Sequence, residues 1–146
     1  MEDILNNEFR TLMRKHRSLV QNYLNTLGLY MGQPRILFYL QDHPKISQRE
    51  LSEMLETSKE ATSVSVRRLE KSGFIDRQEC QRDRRINLLN LSQKGLDIVK
   101  DLRENFDEFN KLMFTDLKDK EKKELKRMLE IMNESLEKRL IDEKII

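Results

Sequence analysis

The stretch from residue 47 to residue 91 constrains the fold of this chain more than any other part of it. It begins with Ser47 and Glu50, an S-x-x-E capping box in which each side chain accepts from a free backbone N–H of the other residue. Ile46 before the cap and Leu51 after it form the apolar pair of a hydrophobic staple. Two independent start signals therefore predict a short helix that begins at Ser47.

A second short helix is predicted after a three-residue turn. It starts at Thr57 or Ser58 and runs to Ser72, because Gly73 can adopt the positive φ at which helices commonly end. Helical spacing predicts the inward residues as Ala61, Ser65 or Val66, and Leu69, and the outward residues as Lys59, Glu60, Thr62, Ser63 and Arg67. Two short helices joined in this way are the helix-turn-helix pattern, here about residues 47–72.

Two strands with an arginine-rich connection are predicted next. Phe74-Ile75 and residues 86–91 are mainly apolar, whereas the ten residues between them are almost entirely polar. A helix-turn-helix followed by such a hairpin is a winged helix, with the wing at about residues 74–91.

Long helices are predicted on both sides of this lobe. Apolar residues recur every three or four positions over residues 3–27 and 93–140, with a break at residues 116–118. The chain has only four Gly and two Pro, which also favours helix. The predicted fold class is mainly α with a small β-hairpin wing. A winged helix-turn-helix lobe over residues 33–91 lies between long terminal helices, and residues 1–146 form one domain.

Charge and composition exclude several classes of protein. The net charge is +2, so a nucleic-acid site must be a local patch. The segment from Arg67 to Arg85 holds seven basic and four acidic residues, a local net charge of +3. One Cys and no signal peptide favour a cytoplasmic protein, and no apolar run approaches the roughly 20 residues that span a membrane.

No enzyme, metal or cofactor motif is recognisable. The sequence has no Gly-rich phosphate loop, no nucleophile–base signature and no catalytic carboxylate pair. His16 and His43 are isolated, whereas zinc takes about four ligands. We therefore expect no enzymatic activity, no metal and no cofactor.

The second helix and the wing carry side chains typical of contacts with double-stranded DNA. A helix fits the major groove, a helix N-terminus can hold a phosphate, and Arg fits a narrow minor groove. The predicted DNA-binding residues are Ser47, Ser58, Lys59, Thr62, Ser63, Arg67, Arg82, Asp83, Arg84 and Arg85. Asp83 could pair with one neighbouring Arg and fix its orientation, which would leave another Arg free to enter the minor groove.

Three motifs together resemble the MarR family of bacterial transcriptional regulators. They are LEKSGFI at residues 69–75, DRR at residues 83–85 and LSQKG at residues 91–95, with the family's spacing between the last two. The final helix, EKKELKRMLEIMNESL, is similar to the family's C-terminal dimer helix. The resemblance covers nearly the whole chain.

The resemblance implies a triangular homodimer that binds a palindromic operator, most often as a repressor. The helices at residues 3–27 and 93–140 would form the dimer. Arg84 would enter the minor groove while Asp83 pairs with Arg85, although the two arginines could exchange roles. Many members carry Arg where this chain has Val64, which cannot donate a hydrogen bond but could touch a thymine methyl group.

The resemblance also suggests a crevice for a small-molecule effector, between the helices around residues 13–40 and the DNA-binding lobe. Two alternatives remain open. The winged helix could be an adaptor that binds protein partners instead of DNA. Cys80 could sense oxidants, although an ordinary exposed position on the wing is the simpler interpretation.

Overall fold

The computed structural model describes residues 1–145, which form six helices and three short strands. In chain order these are α1 (Glu2–Leu27), α2 (Gln33–Asp42), β1 (Ile46–Ser47), α3 (Gln48–Leu55), α4 (Lys59–Lys71), β2 (Ile75–Glu79), β3 (Asn87–Leu91), α5 (Gln93–Phe114) and α6 (Asp119–Ile145). The chain separates into two compact units, Met1–Phe109 and Asn110–Ile146. Within the described residues, none of the helices combines the length and the apolar character needed to cross a membrane. The single domain over residues 1–146 stays a prediction.

The start of α3 confirms the predicted cap at Ser47. The Ser47 hydroxyl oxygen accepts from the Glu50 N–H at 3.1 Å, and the Glu50 carboxylate accepts from the Ser47 N–H at 3.2 Å. Ile46 and Leu51, the two residues of the predicted staple, are both buried. Helix α3 ends where Glu56 adopts a positive φ of 53°.

Helix α4 begins after Ser58, whose hydroxyl oxygen accepts from the Ala61 N–H at 3.1 Å. Its buried stripe consists of Thr62, Val66 and Leu69. The predicted inward position of Ala61 is wrong, because Ala61 is exposed and Thr62 takes its place against the core. A buried stripe that starts at Ala61 and one that starts at Thr62 both satisfy helical spacing. The packing of α4 against its neighbours decides between them.

The sheet has three strands in the order β1-β3-β2, all antiparallel. Strand β1 was not predicted from the sequence, since two residues are too few to show an alternating pattern. It pairs Ile46 with Leu89. Strand β2 begins at Ile75 rather than Phe74 and extends to Glu79, beyond the predicted apolar pair. Only its first residue is buried, so the backbone ladder to β3 holds the rest of it.

The core of the first unit brings α2, α3, α4, β3 and α5 together. Its completely buried side chains include Leu37, Leu51, Val66, Leu89, Val99 and Leu102. Ser92 caps α5, because its hydroxyl oxygen accepts from the Gly95 N–H at 3.0 Å. A Cβ atom on Gly95 would lie 2.1 Å from the carbonyl oxygen of Phe74. The helix can therefore approach the start of the wing this closely only with glycine at that position.

The two terminal helices expose much of their apolar surface in the single chain. In α1, only Leu24 is buried. In α6, which extends five residues beyond the predicted end at Leu140, none of the residues with a described side chain is buried. The exposed apolar residues of α1 are Ile4, Leu5, Phe9, Leu12 and Met13, and those of α6 are Met128, Ile131, Met132, Leu136, Leu140 and Ile141.

Candidate nucleic-acid interface

One side of α4 is exposed and points away from the core. Its residues, Glu60, Val64, Arg67 and Lys71, are exposed and are spaced by four, three and four positions. At about 100° per residue, this spacing places them opposite the buried stripe of α4. We call these four residues the outward stripe.

A shallow depression of about 450 Å³ lies beside the outward stripe. It is lined by Gln48, Lys59, Glu60, Ser63, Val64 and Arg67. The structure thus brings together three of the predicted contact residues, Lys59, Ser63 and Arg67, on one surface. The sequence interpretation did not assign Gln48 or Glu60 to the site. The helical spacing places Glu60 on the outward side of the helix without assigning it a contact, whereas Gln48 joins the surface only through the packing of α3 against α4.

The predicted exposure of Thr62 is wrong. Thr62 is only 2% exposed, and its hydroxyl oxygen lies 2.9 Å from that of Thr57 in the turn before α4. Its side chain therefore belongs to the interior of the lobe and is withdrawn from the set of predicted DNA contacts.

Ser47 and Ser58 occupy the N-caps of α3 and α4. Each hydroxyl oxygen already accepts a backbone N–H within its own helix. Each hydroxyl still has a proton that it can donate, so both side chains can cap a helix and contact a phosphate at once. Their contact with DNA stays a prediction.

The tip of the wing contains a defined ion pair. Asp83 accepts from the backbone N–H of Arg85 at 3.0 Å and from its Nε at 3.2 Å. These two hydrogen bonds hold the pKa of the Asp83 carboxyl below its usual value, and the backbone hydrogen bond has the larger effect. Arg82 and Arg84 are exposed, and neither has a hydrogen bond or ion pair to the described part of the chain. Of the three arginines around Asp83, Arg85 is thus paired with it, whereas Arg82 and Arg84 are free.

A second ion pair connects the wing to α4. The Arg77 guanidinium of β2 lies 3.1 Å from the Glu70 carboxylate near the C-terminal end of α4, and both side chains are about one-third exposed. The backbone N–H of Cys80 donates to the Ile86 carbonyl oxygen at 2.9 Å and closes the base of the wing loop. These contacts position the arginine-rich tip relative to the outward stripe.

A separate cleft of about 240 Å³ lies among α1, α2 and α5 in the first unit. It is lined by Val20, Leu24, Met31, Gly32, Pro34, Arg35, Phe38 and Phe106. Arg35 also donates to the carbonyl oxygen of Leu55 at 3.3 Å, at the end of α3. One side chain therefore contacts both the cleft and the helix-turn-helix. Within the described residues, no group of three or more His, Cys, Asp or Glu is arranged to hold a metal ion.

Comparisons with known proteins agree on one family. The sequence model of the MarR family matches residues 27–86, which cover α2 to the end of the wing loop. The chain is 27% identical over 133 residues to the HTH-type transcriptional regulator BilQ of Clostridium symbiosum, and the match covers 90% of this chain and 92% of that protein.

Solved structures share the same architecture. A crystal structure of MarR superposes with a TM-score of 0.71 at 27% identity and covers 92% of this chain and 98% of its own. The F27L mutant of MepR from S. aureus, bound to an oligodeoxyribonucleotide, superposes with a TM-score of 0.70 at 24% identity. The match covers 90% of this chain and 97% of the MepR chain. These likenesses agree with the predicted fold class of a mainly helical winged helix with long terminal helices.

Proposed function

The chain belongs to the MarR family of transcriptional regulators, and on that premise we propose that it is a homodimeric repressor that binds a palindromic operator. Its family consists of DNA-binding regulators and not of enzymes. The observation that carries the proposal is the free guanidinium of Arg84 on a wing that is joined to α4 by the Arg77–Glu70 pair. We also propose that the protein acts in the cytoplasm.

In the proposed complex, α4 enters the major groove with its outward stripe toward the bases. Lys59 and Arg67 contribute positive charge, Ser63 can donate to a base or a phosphate, and Val64 can touch a thymine methyl group. Arg84 enters the adjacent minor groove, where a narrow groove concentrates negative potential. The pairing of Arg85 with Asp83 supports this assignment, because a free guanidinium needs no ion pair to be broken before it binds.

The exposed apolar residues of α1 and α6 support the homodimer. Both series recur at three- and four-residue steps, and such a surface is unfavourable in water unless a partner covers it. A second copy of the chain offers the same two surfaces, which is how a two-fold symmetric interface is built. A two-fold dimer would also present two recognition helices to the two halves of a palindrome, about 34–36 Å apart.

The cleft among α1, α2 and α5 supports release by a small-molecule effector. Its lining is mainly apolar with one cation, Arg35, which is the usual composition of a small-ligand site. Because Arg35 also holds the end of α3 through Leu55, a ligand that draws Arg35 toward the cleft would disturb the helix-turn-helix.

DNA binding is tested by the salt dependence of affinity. If about 6–10 phosphates are neutralised, affinity for the operator falls by about 10³–10⁵ between 50 and 200 mM salt. Arg84→Ala should weaken binding, whereas Lys100→Ala, an exposed change on α5, should not. A shallow salt dependence together with unchanged binding by Arg84→Ala would favour the protein-binding adaptor instead.

A further inference from the structure

Glu60 is a carboxylate at the N-terminal end of the surface that is proposed to enter the major groove. It occupies the second position of α4, is exposed, and has no hydrogen bond or ion pair to any residue that the structure describes. It leads the outward stripe, one helical turn before Val64 and two turns before Arg67. Since the N-terminal residues of a recognition helix reach the base edges, Glu60 would lie among bases and not beside phosphates.

A carboxylate in that position discriminates strongly among the four bases. It can only accept hydrogen bonds, and guanine and thymine present acceptors in the major groove, so both would repel it. Adenine presents a donor with an acceptor beside it, whereas cytosine presents its N4 amino group without an adjacent acceptor. Cytosine is therefore the base that a carboxylate accepts with the least repulsion.

Resting on the proposed function, we infer that Glu60 is a specificity-determining residue that reads a cytosine N4 amino group in each operator half-site. Val64 lies four residues further along α4, which is about 6 Å along the helix axis. Base pairs are stacked about 3.4 Å apart. The thymine whose methyl group touches Val64 thus lies within about two base-pair steps of that cytosine.

A stability role for Glu60 makes a different prediction. An acidic residue in the first turn of a helix interacts favourably with the helix dipole. If that were its whole role, replacing it would lower the melting temperature and raise affinity for every DNA sequence alike, because one negative charge near the phosphates is lost. Base reading instead changes the preference at a single position.

The test is selection of binding sites from randomised duplexes with the full-length protein. Wild type, Glu60→Gln, Glu60→Ala and the control Glu56→Gln are compared. Glu56 is exposed in the turn before α4 and lies outside the depression beside the outward stripe, so its replacement makes the same charge change without touching that surface. Thermal unfolding verifies that each variant is folded.

Wild type and Glu56→Gln should select the same half-site, with one cytosine required. Glu60→Gln should shift that one position to adenine, since Gln pairs with adenine N6 and N7, and Glu60→Ala should lose the preference by at least about fivefold. Replacing the nearby thymine by uracil, which lacks the methyl group, should weaken wild type but not Val64→Ala. An unchanged base profile for Glu60→Gln overturns this inference alone. Failure of wild type to enrich any sequence overturns the proposed function as well.

Discussion

The hydroxyl oxygens of Thr57 and Thr62 lie 2.9 Å apart, and this contact connects the turn of the helix-turn-helix to the buried side of α4. Thr62 is one of three buried residues on that helix, and the other two, Val66 and Leu69, are apolar. A buried hydroxyl needs a hydrogen-bond partner. The buried Thr62 in the helix therefore depends on Thr57 in the turn to supply one.

Thr62→Val should therefore change stability and not DNA recognition. The substitution keeps the shape of the side chain and removes the hydrogen bond, which contributes about 0.5–1.5 kcal/mol. Chemical denaturation measures the loss, and operator affinity of the folded variant should equal that of wild type. Thr57→Val removes the same bond, so the double variant should be less destabilised than the sum of the two single changes. A large loss of affinity without loss of stability would return Thr62 to the DNA contacts.

The success and failure of prediction at α3 and α4 have a common physical origin. The cap at Ser47 depends on chemistry within four residues, so it could be read directly and the structure reproduces both hydrogen bonds. The choice between Ala61 and Thr62 as the inward residue depends on the direction in which α4 meets the core. That direction is set by contacts with residues far away in the sequence. The sequence of α4 alone does not show those contacts.

The wing illustrates the same limit for strands. Only Ile75 of β2 is buried, so the strand shows no alternation of apolar and polar residues from which its length could be read. Its extent follows from pairing with β3, up to Glu79 opposite Asn87. The arginine-rich tip could be recognised by composition, but the selection of Arg85 as the partner of Asp83 required the turn geometry that brings the Arg85 backbone N–H to the carboxylate.

Arg84→Ala should weaken operator binding more than Arg85→Ala. The free guanidinium of Arg84 is proposed to enter the minor groove, and removal of such a contact costs about 1–3 kcal/mol of binding free energy. Fluorescence anisotropy should show this loss most clearly for operators with A·T-rich flanks. A larger effect of Arg85→Ala would show that the two arginines exchange roles when DNA binds.

Arg85→Ala should also raise the pKa of the Asp83 carboxyl, but only part of the way to its usual value. The backbone N–H of residue 85, the larger cause of the lowered pKa, remains after the substitution, whereas the side-chain hydrogen bond is lost. The pKa of Asp83 is lowered in the folded protein, so the ionised carboxylate stabilises the folded state at neutral pH. This stabilisation is lost as the pH falls through the lowered pKa. NMR titration of the carboxyl group measures the shift, and an unchanged pKa would contradict the ion pair in solution.

Gly95→Ala should destabilise the protein although alanine is the better helix former. Intrinsic propensity alone would favour alanine by about 1 kcal/mol. The new Cβ would lie 2.1 Å from the Phe74 carbonyl oxygen, so the backbone must shift, and overpacking of this kind costs about 1–3 kcal/mol. Denaturant unfolding should show a net loss, with the exposed Lys100→Ala as control. Equal stability of both variants would mean that α5 can move away from the wing freely.

Leu136→Asp should prevent the proposed dimer from forming without unfolding the chain. Leu136 is 67% exposed in the single chain, and Met132 and Leu140 lie one turn to either side of it, both exposed. A charge in the middle of an apolar interface must be desolvated without a partner, which opposes association. Sedimentation equilibrium at micromolar concentration should detect a monomer with the circular dichroism of wild type. Lys138→Asp introduces the same side chain on the opposite side of α6 and should remain dimeric, so a dimer in both variants would exclude this surface as the interface.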